Sequence, residues 1–563
     1  MENNRTMETI NRLNAAFEAD GYKIVNVYTY AGRVGAMAAH RHILSYDTGR
    51  GKRCCYVEGT PYERGYLLGL LCEKEMADMA VRFTDNVIFD FLDIEFLNRF
   101  PLIQKLLTEL LYELSEHTFD ALPEHIHSEI SGMLDGCKKA NPRTKVTKKR
   151  LVVMNVAFDV LCALVYSGDF FQKRAPAVTA NSIKLTMMCN AFSVFGAAAN
   201  GGHYFARDFM FASGGVFQNN LCHVIHVPAE QPDAALYPYV SVTAPGMAGS
   251  ISAMNENGVA IGVNMSPGAN CNPSAVGINS LLLARDAVLY GGDIRAAADV
   301  IVNAERGVAW NYVLSDGTLD LACTVEAGMS ANRMDLSNYP APELRPFLPD
   351  ETYLLAHPGA PFKNGAMVRW CSAPYPREYL AYNPELWKDY QKKTKDASIT
   401  LYPDAFAPDG FINRTPEQKN CPSSFYFAPE RADGNIHVTG NHFVLPPMRY
   451  CTMDPWTAMV VRGNVNDIQW RYDTLNYEIR STLEEKGSIG YEDARRIADF
   501  LAPYGKYPAY YAKNPKSLDG KQTRIEGCVS LFDLKAKTVE SHYGYYGDGW
   551  IRTTIKNYLP PVS

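Results

Sequence analysis

The sequence has no excess of positive charge, no long apolar run and no regular spacing of cysteines, and each absence removes a class of function. Lys and Arg number 55 against 61 Asp and Glu, a formal charge of −6. Neither the basic clusters of a nucleic-acid surface nor a polybasic membrane signal is present. No stretch reaches the roughly 18 uninterrupted apolar residues of a membrane helix. LVVMNVAFDVLCALVYSG (151–168) comes nearest, but Asn155 and Asp159 interrupt it, so a buried core helix is expected. The 13 cysteines are odd in number, Cys54 and Cys55 are adjacent, and no CxxC pair faces a second. That pattern offers neither a disulfide framework nor a zinc site and fits a reducing compartment. The first residues carry charges throughout and lack the apolar run of about 7–15 residues of a signal peptide, so a cytoplasmic location is expected. GxSxG, phosphate-loop and HExxH spacings are missing as well, which gives no support to a serine elbow, a nucleotide cradle or a metal mechanism. What remains is a protein with a small-molecule partner, no nucleic acid, no membrane insertion and no cofactor. Assembly into a homo-oligomer is left open.

With 563 residues, 47% of them hydrophobic, the chain is long enough to bury a large core. Its first third reads as helical. ERGYLLGLLCEKEMADMAVRF, PLIQKLLTELLYELSEHTF and EHIHSEISGMLDGCKKA repeat apolar residues at three- and four-residue spacing, and KIVNVYTYA (23–31) is the main strand candidate there. After NSIKLTMMCNAFSVFG the character changes. Short β-type runs succeed it, among them HYFAR, LCHVIHV, YVSVTA, GVAIGVN, NIHVTGN and CVSLFDL, many bounded by Gly, Asn or Asp turn signals. Helical patterns recur near 278–304, 465–484 and 490–502, so the fold class is α+β, with antiparallel sheets covered by helices. Residues 1–188 form a mostly helical segment, and 189–563 a catalytic domain with an irregular excursion around 338–430.

A lone cysteine is usually an inert small hydrophobe. Cys189 differs in its sequence neighbourhood: it opens CNAFSVFG, which leads through a Gly-rich turn to HYFARDF, and together these predict a hairpin bringing Arg207 and Asp208 near the thiol. This pattern resembles the start of the catalytic chain in the acyl-coenzyme A:6-aminopenicillanate acyltransferase family, whose relatives include bile-salt hydrolases and phospholipase-B-like proteins. Further segments match in order along nearly the whole chain: GTPYERGYLLG (59–69), Pro245-Gly246 with MNENGVA (254–260) and Asn264, Gly440-Asn441-His442-Phe443, Trp470-Arg471-Tyr472, GYEDARRIADFL (490–501), and CVSLFDLKAKTVESHYG from Cys528. Several also have plain structural readings. NENG is a natural hairpin turn, GTPYERG a helix start, and Arg207 with Asp208 an ion pair.

The resemblance implies an N-terminal-nucleophile hydrolase fold, a four-layer αββα sandwich, and an amide substrate attacked by Cys189. A thiol attacks as thiolate and needs a base. Cleavage of the Met188–Cys189 bond would free an α-amino group on the same residue, with a reference pKa of roughly 7.7–8.0. By the same resemblance Arg207 favours the ionised thiol and Asp208 fixes the amine or the Arg. Asn441 donates to the oxyanion, a backbone N–H near Asn264 gives a second donor, and Arg471 holds the amine or a substrate carboxylate. The chain departs from the family pattern at Met188 and Asn190, where Gly and Thr or Ser are usual, and at Met210, in place of an Asp. Two other readings therefore stand beside the amidohydrolase: a phospholipase-B-like ester hydrolase, and an uncleaved, catalytically silent binding protein.

Overall fold

The computed structural model describes residues 2–83, 100–166, 189–210, 215–232, 234–266, 276–330, 362–371, 434–441, 443, 465–501 and 524–560. Two sheets stack face to face. The first has 11 strands in the order β1 (Tyr22–Tyr30), β2 (Arg33–Leu44), β3 (Gly51–Gly59), β6 (Cys222–Pro228), β7 (Tyr239–Thr243), β8 (Ser252–Asn255), β9 (Val259–Met265), β10 (Trp310–Asp316), β11 (Leu321–Ala327), β13 (Ala366–Trp370) and β12 (Phe362–Lys363). The second has six: β14 (Ile436–Thr439), β4 (Asn190–Phe195), β5 (His203–Met210), β15 (Arg524–Asp533), β16 (Thr538–Tyr545) and β17 (Ile551–Thr554). Helices cover both outer faces. Helices α2 (Pro61–Leu71), α8 (Ser280–Tyr290) and α9 (Ile294–Asn303) lie on the first sheet, α10 (Val465–Lys486) and α11 (Tyr491–Leu501) on the second, and β4 and β5 touch β9 between them. This is the αββα sandwich expected from the sequence. The irregular excursion expected around 338–430 falls outside the described residues except at 362–371, which supply β12 and β13.

The first 188 residues enter the sandwich by strands as well as helices. Helices α1 (Glu2–Ala19), α3 (Glu73–Arg82), α4 (Pro101–Asp120), α5 (Glu124–Ala140) and α6 (Lys148–Tyr166) accompany α2, but β2 and β3 were not legible beside the expected β1. Burial on both faces over Val34–Ala38 and Cys54–Gly59 removes the polar alternation of a half-exposed strand. Strand β3 pairs with β6 in parallel over Arg53 to Gly59, whereas uniformly antiparallel sheets were expected. A parallel neighbour needs a long crossover, and the chain between β3 and β6 supplies one by way of helices and the β4–β5 hairpin of the other sheet.

Small residues set one contact that holds this segment. Gly65 and Gly69 of α2 face Gly132 and Gly136 of α5, with the same three-residue gap in both helices. A Cβ on Gly65 would lie 2.1 Å from the Glu129 carbonyl oxygen, and one on Gly136 2.1 Å from that of Tyr66. The GYLLG of the family-like motif is therefore a packing surface. The Thr60–Glu63 capping box starts the same helix.

The layer between the sheets mixes apolar side chains such as Phe205 and Phe209 with buried polar ones. Alternation along β4 and β5 turns Phe192, Val194, Ala206 and Met210 outward, where they pack with Leu475, Ile479, Ile497 and Ala498 of α10 and α11. The inward positions carry Ser193, which contacts Ser315 of β10 at 2.8 Å, and His203, whose Nε2 lies 2.7 Å from the Ser315 hydroxyl. Buried polar groups need partners, and facing sheets provide them in pairs.

Candidate active site

Cys189 stands just before β4 and is buried, at 1% exposure. Its backbone nitrogen donates to Oδ1 of Asn441 at 3.0 Å, while Nδ2 of Asn441 donates to the Met265 carbonyl at 2.7 Å. An N–H on one side and a C=O on the other leave a single sensible orientation for that amide. In this geometry Asn441 grips the nitrogen of Cys189, and donating to an oxyanion would require Nδ2 to leave Met265.

The chain just ahead of Asn441 is held from three strands. Asn264 Nδ2 donates to the carbonyls of Thr439 and Gly440 at 3.3 and 3.2 Å. Asn311, its partner across the β9–β10 register, donates to Gly440 at 3.3 Å. Arg369 donates to the Val438 carbonyl at 3.3 Å and is itself anchored by Glu326 at 3.0 Å, both side chains being fully buried. Asn264 thus reaches the site through its side chain, as a support for the segment that carries Asn441. Asn311, Glu326 and Arg369 were not singled out from sequence. No local motif marks them, because they meet the site across sheets.

Arg207 lies on the inward face of β5. It is 1% exposed, and none of its three guanidinium nitrogens has an oxygen or nitrogen hydrogen-bond partner among the described residues. Its charge sits 4.6 Å from the ring of Phe209. Room for the stem comes from Gly262 on β9, where a Cβ would fall 2.5 Å from the Arg207 Cδ. Burial lowers the affinity of this guanidinium for its proton. Against that, the Cys189 thiol most favours the charged form, followed by Cys528 and Asp208.

Cys528 is a second thiol facing the same cation, and sequence reading gave it no role. It is paired with Phe209 across β5 and β15, next to a bulge at Gly527, whose φ of +103° and close approach to the Phe209 carbonyl exclude a side chain. Burial pushes the Cys528 thiol up to about 12, and Arg207 opposes that shift. It therefore stays protonated at neutral pH and does not compete as an anion.

Asp208 points the other way. Neighbouring strand residues face opposite sides, so it makes no ion pair with Arg207. Instead it accepts a hydrogen bond from Asn190 Nδ2 at 3.1 Å, on the face covered by α10 and α11. Met210 joins the apolar cluster on that same face. Arg471 belongs to α10, with its side chain outside the described part of the structure, and Met188 also lies outside the described residues.

A small cavity of about 20 Å³ lies among Met154, Phe158, Phe209, Phe217 and Trp310. Of its lining, Phe209 follows Asp208, which pairs with Asn190 of β4, and Trp310 pairs with Met265, the acceptor of the Asn441 amide. A thiol before a strand, its own nitrogen held by a side chain, and a buried cation together suit nucleophilic attack by the sulfur.

No protein-family model matches the chain. An uncharacterised protein of Archaeoglobus fulgidus is 25% identical over 523 residues, spanning 92% of this chain and 68% of that protein. Among solved structures, a conjugated bile acid hydrolase from Clostridium perfringens is similar at 9% identity and a TM-score of 0.31, covering 65% of this chain and 92% of the other. The Caenorhabditis elegans ortholog of N-acylethanolamine-hydrolyzing acid amidase aligns at 9% identity and a TM-score of 0.28, over 62% and 93% of the two chains. Penicillin V acylase from Agrobacterium tumefaciens aligns at 13% and 0.26, over 63% and 83%.

Proposed function

We propose that the chain is a cysteine amidohydrolase or acyltransferase for linear N-acyl amides, working through an acyl-Cys189 intermediate after cleavage of the Met188–Cys189 bond. The observation that carries this reading is the grip of Asn441 on the nitrogen of Cys189, at 3.0 Å. Any buried N–H needs an acceptor, but here the acceptor is a side chain from 252 positions away, which would also hold a freed amine beside its thiol.

In the proposed reaction the free amine of Cys189 takes the thiol proton, and the sulfur attacks the acyl carbon. Arg207 favours the thiolate. Collapse of the tetrahedral intermediate passes the proton to the leaving amine and leaves a thioester on Cys189. Water, or a second amine, then takes the acyl group and restores the thiol. With the family's Asp replaced by Met210, the amine is oriented by Asn441, and Asp208 acts only through Asn190 on the far side of the strand. The same two steps would serve an ester, but the resemblance of the ordered motifs favours the amide.

Intact-mass measurement after incubation with a slowly turned-over N-acyl 4-nitroanilide tests the reading. The expected product is a fragment beginning at Cys189 that carries one acyl group, lost in Cys189→Ala. An acyl adduct that persists in Cys189→Ala, or turnover by a chain intact across Met188–Cys189, would refute it.

A further inference from the structure

Helix α4 (Pro101–Asp120) presents apolar side chains on two sides. Leu111 and Phe119 are buried on the side packed against α6, where Lys149 lies 4.9 Å from the Tyr112 ring and Lys148 5.7 Å from that of Phe119. On the other side Leu102, Leu106, Leu110 and Leu114 follow one another at every fourth residue, 70, 60, 51 and 38% exposed. A single leucine in water is ordinary, whereas a contiguous apolar row marks a surface made to be covered. Residues at i and i+4 stand one above the other, so the four form one ridge along the helix. We propose that this ridge pairs with that of a second copy of the chain, the two α4 helices running antiparallel and meeting at Leu110. The proposal stands apart from the chemistry at Cys189.

The ridge suits a copy of the same helix. Ridges of the i±4n kind seat in the matching grooves of another helix with axes crossing at about 50°, the commonest packing between helices. About a twofold axis at Leu110, Leu106 of each copy meets Leu114 of the other, as an isologous interface requires. Charge selects the direction. Lys105 lies toward the start of α4, and Glu109, Glu113, Glu116 and Asp120 lie toward its end. Glu109 is engaged by Lys149 of α6 and Glu116 by the Tyr112 hydroxyl. Glu113, exposed like Lys105, is placed to face the second helix. Antiparallel pairing sets Lys105 of each copy opposite position 115, about 3 Å along the axis from Glu113 of the other. A parallel pair would bring Glu113 against Glu113 and Lys105 against Lys105, which costs energy.

The same charges argue against a lipid surface as the occupant. Helices that lie in a membrane interface border their apolar face with Lys and Arg. Here four acids stand against one lysine, and anionic lipid would repel them. A single helical ridge covers less than the roughly 1,200 Å² of a stable interface, so the dimer is expected to exchange with monomer at micromolar concentration.

Sedimentation velocity of the full chain from about 1 to 200 μM tests the pairing. The sedimentation coefficient should rise with concentration toward that of a dimer. Leu106→Glu together with Leu110→Glu should weaken association about 100-fold or more and leave the circular dichroism spectrum unaltered, since neither leucine is buried. Lys105→Glu should weaken it too, and adding Glu113→Lys should restore it. Under copper phenanthroline, Leu110→Cys should cross-link to its own copy, because position 110 lies on the axis. Leu102→Cys should not, its two copies standing about 24 Å apart. A monomer at every concentration, a dimer indifferent to the two leucine substitutions, or cross-linking of Leu102→Cys in preference to Leu110→Cys would overturn the proposal. So would a monomer that floats with phosphatidylcholine–phosphatidylglycerol vesicles through the same leucines, the result for a lipid-facing helix.

Discussion

A guanidinium buried away from oxygen and nitrogen partners is costly, and among the described residues Arg207 is such a group. Replacing it by a side chain of similar volume should relieve that cost. Arg207→Met is expected to stabilise the fold by about 1–4 kcal/mol in thermal or urea unfolding, and to slow iodoacetamide alkylation of Cys189 at pH 7 by about 10-fold or more. A lower melting temperature together with unchanged alkylation would show that Arg207 is structural. Asn441 makes the opposite trade. Its removal leaves the Cys189 nitrogen and the Met265 carbonyl buried without this partner, so Asn441→Ala should cost about 1–3 kcal/mol of stability. By misplacing the amine and thiol it should also lower turnover by about 10²-fold. Full turnover in a folded Asn441→Ala protein would remove Asn441 from the site.

Among the elements, the α2–α5 pair is the most exacting. Backbone meets backbone at Gly65, Gly69, Gly132 and Gly136, and a single Cβ at Gly136 would sit 2.1 Å from a carbonyl oxygen. The helices must then separate, because a carbonyl inside a helix cannot swing aside as a side-chain tip can. Gly136→Val should destabilise by about 1–3 kcal/mol or more, read as a fall in the denaturant midpoint. Wild-type stability would mean that the helices do not pack this closely in solution. Seen from the sequence, GYLLG and GMLDG are only two helical stretches with costly glycines. Their mutual fit is a property of the pair. The same holds for β9, where Gly262 reads as a weak point in a strand until Arg207 is laid over it.

On the scale of the whole molecule, both sheets are covered by helices and the space between them buries polar side chains among apolar ones. Histidines caught there and beneath the helices are held neutral. Burial lowers His203 to about 4 and His223 to about 3, and lowers His226 and His437 well below 6.5. A folded-state pKa below the unfolded value means that the unfolded chain takes up the proton first, so stability is complete above about pH 6.5 and declines as the pH falls from there toward 4. Each histidine contributes a slope of about 1.4 kcal/mol per pH unit within that window. Asp159, pushed up to about 7 by burial, and Asp20, also raised, act in the opposite sense. Four histidines outnumber them, and the melting temperature should drop steadily between pH 6.5 and 4.5. A flat profile over that range would mean these histidines reach water when folded. No helix among the described residues is long and apolar enough to cross a membrane.

Resemblance of the ordered motifs singled out Cys189, Arg207 and Asn441, while local chemistry determined the succession of strands and helices after Cys189, the NENG hairpin between β8 and β9, and the start of α2 at GTPYERG. Those signals are carried by neighbours in the chain, by turn residues, period and capping pairs. Tertiary structure decided which side of β5 Arg207 and Asp208 occupy relative to Cys189, brought Asn441 to the Cys189 nitrogen across 252 positions, and set α6 against Phe209 and Trp310. It also set β3 parallel to β6. Contacts of that kind depend on how separate elements pack, and packing selects for complementary shape and satisfied polar groups, which leave no repeating pattern along a single chain.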